Sequence, residues 1–185
     1  ALQAIEFERV YEFGAFRVQF FPSQHAGATG GRPLGEIAAA LRPPARYLDY
    51  KLGGTYSILI SHPEGRLLHH GSAGYEPGAL QGQQADVVML GVALIEDHEA
   101  YLQQTLDSVG AQMVIPIHWD NFLRPLSAPL QAMPVAVDLP DWFATMARLR
   151  PAIKLGTLRL GQPSALPRPR LAESAPTFDQ PIPEP

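Results

Sequence analysis

The 185-residue chain contains no cysteine, and charged side chains make up only 17% of it. The first absence excludes disulfides and thiolate metal sites, so any metal must be held by His, Asp and Glu. The net charge of −4 comes without a basic stripe, which removes the electrostatic footprint of a nucleic-acid-binding protein. No stretch approaches the roughly 20 apolar residues of a membrane span, and the N-terminus has neither a basic segment nor an apolar signal core. Nucleic acid and a membrane span are therefore set aside, and a small-molecule substrate is the expected partner; nothing in the sequence fixes an oligomeric state. The length is that of one ordinary domain, which buries about two-thirds of its unfolded surface and needs no staples. The chain starts at Ala1 and runs at once into strand-like sequence, from which we expect residues to precede it.

The pattern that is present alternates strands and helices. Residues 6–11 and 15–21 read as a hairpin around Glu12-Phe13-Gly14, with one half-exposed face. Beyond His25 comes a glycine-rich turn. Pro33 then opens a short helix with Leu34, Ile37, Ala38 and Leu41 on one stripe, ended by Pro43-Pro44; so short and alanine-rich a segment suits a surface or lid element. Residues 55–60 and 66–69, joined by His62-Pro63-Glu64-Gly65, form a second hairpin. Residues 86–90 read as a buried strand. A helix over 96–109 follows, with Leu102, Leu106 and Val109 inward and Gly110 at its C-cap, and then a buried strand over 112–117. This strand-helix-strand unit implies a parallel or mixed central sheet, the α/β or α+β class. Asp138 caps another helix carrying Trp142, Phe143, Met146 and Leu149, and residues 153–160 read as a closing strand. From Gln162 onward prolines accumulate without apolar periodicity. The expected domain is 1–162, with 163–185 a Pro-rich tail, disordered or draped on the surface.

Two of these strands end in a histidine. Phe16, Val18 and Phe20 alternate with Arg17 and Gln19 before Phe21-Pro22-Ser23-Gln24 leads to His25. The run Met113-Val114-Ile115-Pro116-Ile117 stops at His118, Trp119 and Asp120. A zinc site without cysteine needs three or four imidazole and carboxylate ligands from different elements. The turn His69-His70-Gly71-Ser72-Ala73-Gly74-Tyr75 could supply another. Adjacent histidines on a strand point to opposite faces, so at most one of His69 and His70 faces such a site and the other is expected in solvent. Asp120 suits either a ligand or the carboxylate that orients an imidazole. Taken singly, each residue also has a plain structural reading. Strand-end histidines are commonly hydrogen-bonded structural residues, Asp86 suits a turn cap, His62 and His98 the surface, and Trp119 the core; Tyr75 suits either a hydrogen bond to a ligand or packing.

Taken in order, these segments resemble the C-terminal half of the metallo-β-lactamase fold superfamily. The likeness is to the bacterial branch similar to ascorbate-lactonase-like and N-acyl-phosphatidylethanolamine phospholipase-like hydrolases. Pro22-Ser23-Gln24-His25 matches a Pro-x-x-His strand end. Gly71-Ser72-Ala73-Gly74-Tyr75 matches a Gly-Asp-x-Gly-Tyr-like turn, and Ile115-Pro116-Ile117-His118-Trp119 is the most specific piece. The resemblance spans roughly residues 6–162. It implies an αββα sandwich whose N-terminal half, with its His-x-His-x-Asp-His loop, is not in this sequence. It also implies a metal-dependent hydrolase acting on an ester, lactone, amide or phosphodiester. Zn²⁺, with Mn²⁺ or Fe as alternatives, would lower the pKa of bound water to about 7 and polarise the scissile group. On this resemblance His25, His118 and His70 are expected metal ligands, and Asp120 an orienter or proton acceptor. Ser72, standing where the family has a bridging aspartate, is expected to hydrogen-bond a metal-bound water. The helix near 33–42 and the loop at 47–51 would flank the substrate. Two other readings compete. One is a non-catalytic lactamase-like binding scaffold, favoured by Ser72 and the absent loop. The other is a serine hydrolase, in which Gly71-Ser72-Ala73-Gly74 approximates a nucleophile elbow with Asp97 or Asp107 and His118 as partners.

Overall fold

The alternating segments assemble into one mixed sheet in the computed structural model, which describes residues 4–26, 40–51, 53–125, 127–159 and 161–165. Its seven strands are β1 (Tyr11–Phe13), β2 (Phe16–Ser23), β3 (Thr55–His62), β4 (Gly65–His70), β5 (Val87–Gly91), β6 (Met113–Ile117) and β7 (Lys154–Leu155). They lie side by side in chain order. The first four pair antiparallel, and β4 to β7 pair parallel. With few helices, this is the mixed α+β architecture expected from the strand-helix-strand pattern. One consequence of the pairing matters for function: β2, β4, β5 and β6 all run in the same direction and end at the same edge of the sheet.

The helices are placed by their caps. α1 (His98–Leu102) begins where the Asp97 side chain accepts from Ala100 N, and it continues as a π-helical turn over Gln103–Asp107. Gly110, at φ 62°, lets the chain reverse after that turn. α2 (Leu139–Leu149) begins where Asp138 accepts from Asp141 N, with Pro140 in the first turn. Arg150, just past α2, is bound to Glu99 at 3.0 Å and Asp107 at 2.7 Å, which fastens the end of α2 to α1 and the π turn.

The two faces of the sheet differ. On one, Phe21, Leu59, Leu68, Val88, Leu90 and Val114 pack with Tyr101, Leu102, Leu106, Val109, Trp142 and Met146 into a single core. The alternation of strands puts Val18, Phe20, Ile58, Ile60, Leu67, Met89, Met113 and Ile117 on the other face. These are half-buried and, with the buried Val87 and Ile115 of the same face, stand apart from that core. No helix described here covers them. The chain after β7 crosses this second face instead. A Cβ on Gly156 would lie 3.1 Å from Met113 Sδ and 3.2 Å from Ile115. Ala165 borders a groove of about 530 Å³ with Phe16, Ile60, Leu67 and Val87.

Several boundaries differ from the sequence reading. The first strand is Tyr11–Phe13 with its turn at Gly14 and Ala15, not residues 6–11. Glu8 sits at φ 61°, which breaks the extended conformation that a longer ladder would need. The closing strand is only Lys154–Leu155: Lys154 N donates to Gln112 O and Gly156 N to Val114 O, both at 2.9 Å, and the pairing with β6 goes no further. The helix expected from Pro33 lies mostly outside the described residues, as does most of the tail. Asp86 has a structural role of another kind than a turn cap: its Oδ2 accepts from Arg66 N in β4 at 2.7 Å and its Oδ1 from Gln112 Nε2 at 3.3 Å, which ties the starts of neighbouring strands. Among the described residues no helix is long and apolar enough to cross a membrane.

The asymmetry of the sheet gives a direct stability comparison. Leu68→Ala, in the closed core with no exposed surface, should cost about 2–5 kcal/mol. Ile60→Ala on the open face should cost less than half as much. Urea denaturation midpoints of the two variants measure the difference, and equal losses would show that the second face is packed as tightly as the first.

Candidate functional site

The turn that follows β4 is the centre of the common edge, and its geometry is fixed from below by a buried imidazole. His70 is 1% exposed. Its Nε2 lies 2.8 Å from the Gly74 carbonyl and its Nδ1 2.8 Å from Ser57 Oγ. A carbonyl only accepts, so Nε2 carries the proton, and in the neutral ring Nδ1 accepts from the Ser57 hydroxyl. Desolvation by burial lowers the His70 pKa to about 4; the bond to Gly74 opposes the shift, and neighbouring His69 adds to it. Both ring nitrogens are engaged. The expectation of His70 as a metal ligand is corrected accordingly: the ring braces the turn and has no lone pair left for a cation.

Tyr101 braces the same turn from α1. Its buried hydroxyl is 2.8 Å from the Gly91 carbonyl and 3.1 Å from that of Ser72, joining the ends of β5 and β4. Burial pushes its pKa well above the usual tyrosine value, so it remains a donor. Backbones approach closely here. A Cβ on Gly91 would fall 2.7 Å from the Gly71 oxygen, and one on Gly74 would fall 2.5 Å from the Gln24 oxygen. Only glycine fits at either position.

These contacts also draw His25 across the sheet. Ser23 Oγ donates to the Gly74 carbonyl at 3.3 Å, and Ala26 N donates to Ser72 Oγ at 2.9 Å. Residues 24–26 thus pass over the start of β3 onto the β4 turn. In the sheet β2 and β6 are four strand spacings apart, about 19 Å, and the β4 turn lies between them. His25 Nδ1 is 2.9 Å from the Ala26 carbonyl. By the same logic Nδ1 holds the proton, and Nε2 keeps an available lone pair, the arrangement of a metal-binding histidine whose second nitrogen rests on a carbonyl.

His118 follows β6 directly. It is exposed, sits at φ 55°, and stacks on Phe122 with centroids 6.5 Å apart. Leu94 and Val135, in loops tied to each other through Leu94 N and the Ala136 oxygen, also have positive φ. Three left-handed non-glycine residues at one edge mark stored backbone strain of the kind that clusters at functional sites. Asp120 is half-buried and bridges to Ala132, while Trp119 packs against the core as expected. His69 lies on the open face, only partly buried rather than solvated, and its Nδ1 has no partner among the described residues.

The elbow geometry of a serine hydrolase is not formed. Ser72 Oγ is tied to Ala26 N, and no helix intervenes between Ser72 and His98. Asp97 caps α1 and Asp107 pairs with Arg150. His25 instead borders a cavity of about 340 Å³ between the β4 turn, the loop after β5 and the start of α1. Among the described residues no three His, Asp or Glu side chains converge as a metal cluster. No family model matches the chain, and no curated protein matches it either.

Sequence reasoning passed over Ser57, Gly91 and Tyr101. The signals were there: Ser57 shares a strand face with Leu59 and so falls in the core. Tyr101 and Thr105 form a row beside the Leu102, Leu106 and Val109 stripe.

The buried neutral imidazole makes stability depend on pH. The folded-state pKa of His70 lies below the unfolded value of 6.5. Its neutral form is therefore favoured by folding, and stability is complete above pH 6.5. It should fall as pH drops from 6.5 towards 4, by about 3 kcal/mol in all. Unfolding free energies from urea titrations at stepped pH measure this. The His70→Asn variant should lack that component, and an unchanged acid slope would assign the effect to another group. Gly74→Ala should destabilise by about 1–3 kcal/mol, seen as a lower thermal midpoint.

Proposed function

We propose that this chain is the C-terminal half of a metallo-β-lactamase-like metallohydrolase, in which His25 and His118 bind a metal ion completed by donors outside the described residues. The observation that carries the reading is His25: its Nδ1 is held by the Ala26 carbonyl, its Nε2 is left to a cation, and it stands on the same sheet edge as His118. The second face adds support, since it is apolar and no described helix covers it, as in a sheet that packs against another in a sandwich.

The donor set fits a metal in part. Two imidazoles are available, whereas His70 and Ser72 are committed to the turn. A zinc-type ion supplies Lewis acidity and a water acidified to near neutral pH. His25 and His118 would hold it, and Asp120, half-buried beside His118, would orient a ligand or accept a proton. The ester, lactone, amide or phosphodiester to be cut would approach from the open side of the β4 turn.

A second reading is a binding scaffold without catalysis. Ser72 favours it, because a neutral hydroxyl bound to Ala26 N stands where the resembling family has a bridging carboxylate.

Metal analysis of the protein as encoded separates the two. One or more equivalents of Zn, Mn or Fe are expected, and His25→Ala or His118→Ala should each weaken metal binding at least about a hundredfold, beyond the 10–100-fold typical of outer-shell losses. Ser72→Ala should leave affinity within about threefold. Metal retention unchanged in both histidine variants, or less than about one equivalent in the unaltered protein, would overturn the metallohydrolase and favour the scaffold.

A further inference from the structure

The cavity beside His25 carries a chemical preference. Its lining includes Tyr75 and Ile95, both half-buried, with the core residue Tyr101 packed behind Tyr75 at a centroid distance of 6.3 Å. The exposed carboxylates Glu96 and Asp97 also line it, and among the described residues no lysine or arginine does. A third carboxylate lies close by: Glu76 accepts a hydrogen bond from Gln24, which also lines the cavity. At the start of α1 the Asp97 side chain accepts from Ala100 N and offsets the positive end of the helix. An aromatic ring beside carboxylates forms an environment that attracts an ammonium group, through the ring quadrupole and charge together. The volume, about 340 Å³, accommodates a small organic ligand.

We propose that this cavity binds the cationic, amine-bearing part of a small organic molecule, with its apolar portion against Ile95 and Tyr75. The inference names the ligand class of the site proposed above; it rests on that reading for what happens to the ligand, while binding itself needs no metal. It also gives the edge two functions side by side, because His25 is shared between the cavity wall and the edge that holds His118.

Isothermal titration with three probes of similar shape tests it: 2-phenylethylammonium, neutral 2-phenylethanol and anionic 3-phenylpropionate. The ammonium should bind at least tenfold more tightly than the alcohol, and the carboxylate most weakly. The double variant Glu96→Gln/Asp97→Asn should reduce that preference to threefold or less. Asn retains the helix cap, so this variant keeps its fold, which its thermal midpoint checks. Tyr75→Leu should weaken the ammonium more than the alcohol. Equal binding of all three probes, preference for the anion, or no ammonium binding at millimolar concentration would each overturn the proposal. Metal content separates the two inferences. The double variant should hold as much metal as the unaltered protein, and a metal-free protein that still selects the ammonium would remove the hydrolase and leave the cavity.

Discussion

The carbonyl oxygen of Gly74 is where the parts of this edge meet. It accepts from His70 Nε2 below and from Ser23 Oγ at the side. Because residue 74 has no side chain, the Gln24 and His25 backbone lies directly against it. The β4 turn therefore does not merely connect two strands; it is the surface on which the histidine segment after β2 is laid. A buried polar group costs free energy unless it is paired, and here a buried imidazole and a turn carbonyl satisfy each other. Neutral His70 is the form that this arrangement requires.

The sheet divides stability from chemistry. Its helix-covered face holds the closed core, where Leu68, Val88, Leu90 and Val114 are almost wholly shielded. The edge where β2, β4, β5 and β6 end holds the groups with spare valence and the strained residues Leu94, His118 and Val135. Strain at the edge is tolerable because the core beside it is rigid: Tyr101 reaches from the core to hold the ends of β4 and β5 in place. A site built on the ends of rigid strands keeps its geometry better than one carried by loops alone.

Much of this was legible in the sequence, and the limits have physical causes. The buried strands around α1 and the cap at Asp138 were readable because periodicity and capping chemistry are local. The two histidines at strand ends were readable for the same reason. The roles of His69 and His70 were not. Adjacent residues on a strand differ only in the face they occupy, and that choice is made by register: Ser57 opposite His70, Ile58 opposite His69. Register depends on a partner strand that no local pattern specifies. The closing strand was overestimated because its apolar residues alternate well, whereas its pairing with β6 covers only Lys154 and Leu155. The open face of the sheet was also invisible, since half-buried strands alternate alike whether their second face is covered or bare.

Strand order in this sheet is the order of the chain, from β1 to β7. Each strand pairs with the one made just before it, so no strand waits for an insertion from later sequence. Such a sheet can grow in one direction as the polypeptide leaves the ribosome, at about 5–20 residues per second. The edge then assembles in stages. His25 emerges first, the β4 turn gives it a seat, and His118 arrives only when β6 has docked.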